Sequence, residues 1–407
     1  MVFAIAGFAV FQFTFGGPAG SLEANLKEAR AMGLATEGND LMEGVDRTKS
    51  LNKAYADLKT ATQRDKGASR LSNKDLTDKE RAEIVAKLAP AIEKAEAIAK
   101  SPKANITKDW SGSAINVLFP EFATMKMGTR LLVAKALVQS KQGDGPAAMA
   151  TLGRAIVFSH HAGESPTLIG LLVSIACEAI VLNGMEKVLA DHGRDAKTLA
   201  AARETLRSLG PVPDLRKAMR GELVLGLSTT SPGFTAQDLG FSVEDPSTTG
   251  LTFAMKSGVV RNAFAADIVR FQIEMHKKFP KDPSDWEGFD KVFRDADLKM
   301  QTDRKVTSTL TKIVSPYFGE LAPAIGGLIT RRKLMSASLN LLERRQKGAA
   351  LPNALSATGP DEIDPFSSDI FQYERKGSGF RIWSIGRNRL DDGGDSSQAH
   401  DIVYVFP

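Results

Sequence analysis

The sequence predicts a mainly α-helical protein: a multi-helix hairpin domain of the α-solenoid type, followed by a small antiparallel β module at the C-terminal end. Three observations predict this class. Apolar residues recur at helical spacing through most of residues 21–350, and a Gly-Asp-Gly turn near residue 144 joins two long helical segments. After residue 369, apolar and polar residues alternate as they do in half-buried strands. We therefore divide the chain into residues 1–20, 21–350 and 351–407.

Composition limits the class of protein. The chain has 407 residues, of which 43% are hydrophobic and 25% charged, as in ordinary folded proteins of two or three domains. The net charge is +5, but the basic residues are interleaved with acidic ones, which favours a solvated mixed-charge surface, and basic pieces such as residues 331–333 are short. No nucleic-acid partner is therefore expected. The single cysteine, Cys177, excludes an intrachain disulfide and a thiolate zinc site, and its apolar surroundings predict burial.

The first residues after Met1 form an uncharged, aromatic-rich run at positions 2–15, which Gly16, Gly17 and Pro18 bring to an end. A membrane-spanning helix needs about 20 apolar residues, so this run is short. Its length suits the apolar part of a secretory signal, although no positively charged stretch precedes it. Two interpretations stay open: an export or membrane-anchoring segment, or a buried strand or helix end.

Helix signals begin with segments at 21–32 and 39–63. Thr77 and Glu80 have the spacing of a capping box, which predicts a helix from this point to about residue 100. Pro90 lies inside this segment and is expected to kink it. Further helices are predicted at 165–190, 196–209, 214–227, 251–278, 284–299, 302–314 and 321–347, with a Ser/Thr/Gly/Pro-rich loop at 228–250.

The strongest helical signal is a hairpin of residues 121–141 and 145–161. Small residues stand where the two helices must approach closely, and the turn between them is Gly143-Asp144-Gly145. This hairpin resembles a tetratricopeptide helix–turn–helix, although the repeat period of about 34 residues is absent. We therefore predict a degenerate tetratricopeptide-like solenoid.

Catalytic motifs are missing from the sequence, including the nucleophile elbow, the phosphate loop and the dinucleotide fingerprint. His160, His161 and Glu164 could suggest a metal site, but adjacent histidines point to different sides of a helix, and bonds to helix-end carbonyls are the favoured interpretation. Glu222 is expected to form an ion pair with Arg216 or Arg220. The alternative to a binding protein is a hydrolase-type enzyme with its site in a groove of the helical domain, where Glu, His and Ser would converge.

The C-terminal module is predicted from strands at 370–373, 379–384 and 402–406, with Gly377-Ser378 as the hairpin turn. The loop before the last strand is rich in glycine and in oxygen-bearing side chains, which are the ligands that calcium prefers. Gly393 and Gly394 allow the positive φ angles of a tightly wrapped loop. A purely acidic, soluble turn is the other interpretation. The predicted metal ligands are Asn388, Leu390, Asp391, Asp392, Asp395 and Asp401.

Residues 334–407 resemble the C-terminal part of type II secretion major pseudopilins. The shared order is a long helix, the turn Asp364-Pro365-Phe366, a strand with Tyr373 and Arg375, and an acidic loop that closes with Asp401-Ile402. This resemblance implies a calcium site in the loop, although Asn388 stands where that family usually has an acidic residue.

The whole chain is also similar to a class of uncharacterised bacterial envelope proteins of planctomycete-like phyla, through residues 109–111, the Gly-Asp hairpin and the C-terminal motifs. The similarity implies a cell-envelope location, membrane-anchored or periplasmic, and no activity. We expect a non-enzymatic scaffold or protein-binding protein with a protein partner, and contact with the membrane through the N-terminal segment.

Overall fold

The structure is a computed structural model. It describes residues 22–73, 75–110, 117, 119–232, 234, 257–302, 318–356, 359–394 and 401–407. Four predictions lie wholly or largely outside these residues: the apolar N-terminal segment, the 228–250 loop, the helix at 302–314 and the ligand Asp395.

The described part of the chain is mainly helical and ends in a small antiparallel sheet, which confirms the predicted fold class. The helices are α1 Leu22–Ala31, α2 Asn52–Gln63, α3 Gly67–Arg70, α4 Asp78–Lys87, α5 Ala89–Ile98, α6 Pro120–Lys141, α7 Gly145–Gly163, α8 Leu168–His192, α9 Ala196–Arg207, α10 Leu215–Ser228, α11 Gly258–Lys278, α12 Trp286–Thr302 and α13 Leu321–Gln346. Short 3₁₀ turns occur at Gly38–Met42, Arg47–Lys49, Phe318–Glu320 and Pro360–Glu362.

The capping box at the start of α4 is confirmed. The Thr77 hydroxyl accepts from the Glu80 N–H at 3.3 Å, and the Thr77 N–H donates to Glu80 Oε2 at 3.0 Å. Pro90 begins a new helix rather than bending one, because α4 ends before Leu88 and Pro90 lies in the first turn of α5. Proline lacks an N–H and is tolerated at that position.

The predicted hairpin is present as α6 and α7, and it packs against α8 at the centre of the helical part. Gly143 has φ 90° in the turn, and Asp144 caps α7 by accepting from the Ala147 N–H at 3.0 Å. Gly128 lets α6 approach α7, since a Cβ there would lie 2.5 Å from the ring of Phe158. The tetratricopeptide-like character of the hairpin and of the rest of the chain stays a prediction.

Basic residues at 331–333 join α13 to neighbouring elements. The Arg332 guanidinium forms a two-pronged ion pair with Glu178 of α8, whose side chain is only 1% exposed. The Nη2–Oε2 distance is 2.7 Å. Lys333 Nζ donates to the Pro360 carbonyl at 2.9 Å. These side chains hold α13 against α8 and against the segment that follows it.

The sheet contains β1 Gln372–Lys376, β2 Gly379–Ser384 and β3 Ile402–Phe406 in the order β1-β2-β3, with both pairs antiparallel. Gly377 has φ 61° in the two-residue turn, as the Gly-Ser signal predicted. The first strand lies two to three residues later than predicted. Ile370 instead forms an isolated bridge with Ile363.

One face of the sheet packs on α8 and α13. Phe380, Tyr404 and Phe406 are buried in the same hydrophobic cluster as Leu342 of α13. At the outer edge of β3, the Val405 N–H donates to Glu186 Oε1 of α8 at 3.1 Å. A shared core argues against independent folding of the tail. The domain boundary between residues 350 and 351 stays a prediction.

Candidate functional site

The Asp-Pro-Phe turn fastens the segment after α13 to the end of β2. The buried carboxylate of Asp364 accepts from the Ser384 hydroxyl at 2.8 Å, from the Phe366 N–H at 2.9 Å and from the Ile385 N–H at 3.1 Å. These bonds fix the point from which the acidic loop leaves the sheet.

Two arginines at the start of the loop bind the helical part. Arg387 pairs with Glu320, and Arg389 pairs with Glu287 at 2.7 Å. The Arg389 guanidinium also lies 5.8 Å from the ring centre of Trp286. Both arginines are therefore committed to carboxylates on other elements, although they are close in sequence to the loop's aspartates.

Asp401 is the buried end of the acidic loop. Its Oδ2 accepts from the Gly394 N–H at 2.8 Å, and its Oδ1 accepts weakly from the Asp392 N–H at 3.5 Å. Gly393 and Gly394 have φ angles of 76° and 67°, as predicted for a wrapped loop. Asp401 is thus in contact with Asp392 and Gly394.

The charges of two predicted ligands, Asp391 and Asp392, act on a third, Asp401. Asp391 Oδ1 accepts from the Trp383 indole N–H at 3.0 Å and from the Gly393 N–H at 2.9 Å. Burial raises the pKa of Asp401, and the charges of Asp392 and Asp391 raise it further, while its two backbone hydrogen bonds act in the opposite direction. Within the described residues, no lysine or arginine pairs with Asp391, Asp392 or Asp401.

Two further predicted ligands, Asn388 and Leu390, precede these aspartates in the loop. Asn388 Nδ2 donates to Asp392 Oδ2 at 3.0 Å, and Asn388 Oδ1 accepts from the Leu390 N–H at 3.3 Å. The Leu390 side chain is exposed, so the backbone carbonyl is the donor that this residue can offer. In the described ranges, no three His, Cys, Asp or Glu side chains stand ready as a metal cage.

The chemistry of the donors nevertheless fits calcium. They are oxygens throughout, whereas zinc favours nitrogen and sulfur. Asp391 Oδ2 and Asp392 Oδ1 have no hydrogen-bond partner in the described part of the chain, so both are available as ligands. A calcium ion here would balance carboxylates that the described residues leave without a counter-charge.

The adjacent histidines bond to backbone carbonyls of segments that follow other helices, not to the last carbonyls of a helix. His160 Nε2 bonds to the Leu209 carbonyl at 3.0 Å, and His161 Nε2 bonds to the Ser101 carbonyl at 2.9 Å. A carbonyl can only accept, so Nε2 of His161 carries the proton and Nδ1 accepts from the Tyr55 hydroxyl at 2.7 Å. Burial lowers the pKa of His161 to about 4, which keeps the ring neutral.

His161, Glu164 and Ser165 line one pocket of the helical part. The Glu164 carboxylate accepts from the N–H groups of Ala104 and Asn105 at 2.8 and 3.0 Å. The Ser165 hydroxyl bonds to that of Thr167. Residue types common in hydrolases thus converge, but each is bonded to a structural partner rather than to another of the three.

The prediction that Glu222 pairs with Arg216 or Arg220 is wrong. Arg216 pairs with Asp214, and Arg220 lies 3.5 Å from Glu43. Glu222 instead accepts from the Leu168 N–H at 2.9 Å, so it binds the N-terminus of α8 from a distant part of the chain. Burial raises its pKa to about 6. The two residues lie far apart in sequence, and no local pattern indicated this contact.

Cys177 is buried, as predicted, and burial raises the pKa of its thiol to about 11, so the reactive thiolate is disfavoured. Among the described residues, α8 is long and apolar enough to cross a membrane by length and composition. In its most apolar window, 56% of the residues are buried inside the protein.

Comparisons with protein-family models, with curated proteins and with solved structures find no match for this chain. The described chain can be characterised by its own structure: a helical part that carries a small sheet and an oxygen-rich loop.

Proposed function

We propose that this is a non-enzymatic scaffold or protein-binding protein of the bacterial cell envelope, in which calcium stabilises the loop between β2 and β3. One observation carries the proposal: the charges of Asp391 and Asp392 act on Asp401, and none of the three carboxylates pairs with a lysine or arginine among the described residues. The two nearest arginines, Arg387 and Arg389, bind carboxylates of the helical part instead.

The envelope location and the protein partner rest on the sequence. The uncharged aromatic segment at residues 2–15 supports export or anchoring, and the likeness of residues 334–407 to pseudopilins supports a position outside the cytoplasm. A solenoid-like stack of helix hairpins offers an extended surface, which is why we propose a protein partner rather than a small substrate.

Calcium titration of the full-length protein tests the site. We expect added calcium to raise the thermal midpoint of unfolding, and excess chelator to lower it, because a ligand that binds only the folded state stabilises it by mass action. Isothermal titration should show one calcium site per chain. Equal midpoints in calcium and in chelator would exclude the metal.

The variant Asp391→Asn gives a sharper test. The Oδ1 atom of residue 391 can still accept from the Trp383 indole N–H and the Gly393 N–H, while the variant removes one negative charge. We expect the variant to be slightly more stable than wild type in chelator and clearly less stable in millimolar calcium. This reversal of sign separates a calcium site from a merely acidic turn.

The control is Asp369→Asn, which removes a carboxylate that is exposed on the same module but lies outside the loop. It should leave calcium binding unchanged. If both variants weaken calcium binding equally, the effect comes from net charge alone, and a specific site is refuted.

The second candidate function is a hydrolase-type enzyme with its site in the helical part. The observation that favours it is the meeting of His161, Glu164 and Ser165 at one pocket. Chromogenic ester and amide substrates, assayed with wild type and His161→Gln, test it. Turnover that depends on His161 would establish this function, and its absence would remove it.

A further inference from the structure

Exposed apolar side chains lie next to each other at one place in the helical part. Ile169 and Leu172 are one turn apart on α8, and they are 48% and 41% exposed. The other large apolar side chains that are exposed within the described residues stand singly on other elements: Met32, Val259, Leu298, Leu390 and Val405. Single exposed apolar residues are common on folded proteins, whereas a continuous apolar surface indicates contact with another body.

The apolar surface continues along α8. Val173, Ala176 and Ile180 are half-buried, and they follow Ile169 and Leu172 at spacings of three and four residues. These spacings place all five residues on one side of the helix. We call the five residues the α8 stripe.

The rest of α8 is held inside the fold. The helix packs against α6, α7 and α13, and its buried Glu178 is ion-paired with Arg332 of α13. The helix would lose these contacts if it left its neighbours to cross a membrane. The α8 stripe is therefore a surface for contact along the length of the helix.

Two cations lie on the α6 side of the stripe. The charges of Lys126 and Arg130 act on the buried Cys177, which follows Ala176 on α8. The other basic residues of α6, Lys135 and Lys141, are ion-paired with carboxylates. Within the described part of the chain, no carboxylate lies at ion-pairing distance from Lys126 or Arg130.

The C-terminal end of the stripe is also basic. Arg331 of α13 donates to Asn183 Oδ1 at 3.5 Å, and Lys187 is exposed one turn further along α8. The charges of Lys187 and Arg331 act on Glu186, whose carboxylate accepts from the Val405 N–H. Basic side chains thus border the stripe on the α6 side and at its C-terminal end.

The acidic residues nearby have other partners. Glu164 and Glu222, near the start of α8, accept from backbone N–H groups. The acidic residues of α6 and α8 themselves are each bonded within the fold: Glu121, Glu178, Glu186 and Asp191. An apolar surface with an uncompensated basic border is complementary to a partner that is both apolar and anionic.

From this arrangement we propose that the α8 stripe rests on an anionic lipid surface, with Lys126 and Arg130 among the lipid headgroups. A second copy of the chain fits less well, because a two-fold contact would bring the same cations of both copies together. A lipid surface is favoured over an acidic protein because the chain also carries the uncharged apolar run at residues 2–15, and stable membrane attachment takes two signals. The inference extends the envelope location proposed above, but its test is independent of calcium.

Vesicle sedimentation of the full-length protein in chelator tests the contact. Vesicles of phosphatidylcholine alone are compared with vesicles that contain about 25% phosphatidylglycerol, at about 0.1 M salt. We expect the anionic vesicles to bind at least about tenfold more tightly, and the preference to shrink at about 0.5 M salt, because salt screens the headgroup charge. No binding to anionic vesicles, or equal binding to both kinds, would overturn the proposal.

A pair of variants locates the apolar contact, and every variant keeps the N-terminal segment. Ile169→Ser/Leu172→Ser should weaken binding to anionic vesicles about tenfold, because less apolar surface leaves water. Both side chains are exposed, so circular dichroism should show an unchanged fold. The matched control is Val259→Ser/Leu298→Ser, which changes two exposed apolar residues on α11 and α12 and should bind as wild type does. An equal loss in both double variants would refute the stripe.

A second pair tests the charges. Lys126→Gln/Arg130→Gln should abolish most of the preference for anionic vesicles and leave binding to neutral vesicles unchanged. Lys278→Gln/Lys291→Gln removes the same net charge from exposed positions on α11 and α12 and should keep the preference. If the control loses it too, net charge alone explains the binding and the proposal fails. Light scattering that shows a dimer of wild type, absent from Ile169→Ser/Leu172→Ser, would identify a second copy as the occupant and also overturn the proposal.

Discussion

Buried carboxylates have different kinds of partner in two regions of the molecule. Between α8 and α13, Glu178 is almost fully buried and is held by both nitrogens of the Arg332 fork. In the loop between β2 and β3, Asp401 is also buried, but the charges that act on it among the described residues are those of the Asp391 and Asp392 carboxylates. Its hydrogen-bond donors are backbone N–H groups.

The difference indicates what each region needs from outside. The Glu178–Arg332 pair is complete in itself, so it stabilises the packing of two helices and requires no ligand. The loop gathers negative charge that its own arginines do not balance, because Arg387 and Arg389 pair with the helical part. A charge that remains unbalanced inside the fold is the stronger sign of a binding site.

The largest expected effect tests whether the C-terminal sheet and the helical part unfold together. Phe406→Ala empties a position that is 1% exposed in the core shared by the sheet and α13. We expect a loss of about 3–5 kcal/mol in the free energy of unfolding. Circular dichroism of the helices and fluorescence of the tryptophans should report one coincident urea transition. Two separate transitions would mean that the tail folds independently.

Arg332→Met should cost about 3 kcal/mol, because it leaves the buried Glu178 without a counter-charge. Urea denaturation at pH 7 measures this. The double variant Glu178→Met/Arg332→Met should recover much of the loss. The matched control is Arg207→Met, whose ion pair with Glu204 is exposed, and it should change stability by less than about 0.5 kcal/mol. An equal loss of stability in Arg332→Met and Arg207→Met would show that the buried ion pair contributes no more than the exposed one.

Glu222 is a half-buried carboxylate that accepts from the N-terminus of α8 rather than from a cation. Its raised pKa of about 6 means that its ionised form costs stability at neutral pH, and that this cost disappears as the pH falls below the ordinary value of 4.5. Glu222→Gln should therefore be more stable than wild type by about 1–2 kcal/mol at pH 7.5. The difference should vanish near pH 4. A variant that is less stable at pH 7.5 would show that the helix terminus needs the full charge.

The smallest effect concerns the acidic loop. The pKa of Asp401 is raised, so in chelator the loop should gain stability as the pH falls from that raised value toward 3.8, where protonation ends the repulsion. Calcium affinity should fall over the same range, since the ion needs the carboxylate. Calorimetric calcium titrations between pH 7 and pH 4 measure this dependence. Affinity that does not change with pH would place calcium elsewhere.

Local signals in the sequence were sufficient for much of the fold. The capping box at Thr77 and the turns at Gly143 and Gly377 each depend on neighbours within a few residues, and all three are present. The predicted kink at Pro90 is wrong, since a proline can start a helix as well as bend one.

The contacts that the sequence did not reveal join distant residues. Glu178 and Arg332 are separated by 154 positions, and Leu168 and Glu222 by 54. For the candidate site, the sequence supplied the loop and its glycines. The pairing of Arg387 and Arg389 with the helical part, which leaves the aspartates unbalanced, is a tertiary feature.

The hydrogen bond from Val405 to Glu186 has a further consequence for behaviour at high concentration. An outermost strand with bare amide groups is a template on which a second chain can add its own strand. Glu186 occupies one of these groups and places a negative charge beside the rim, which discourages stacking of one molecule on another. Without that carboxylate, the Val405 N–H would be open to pairing with a strand of a second chain.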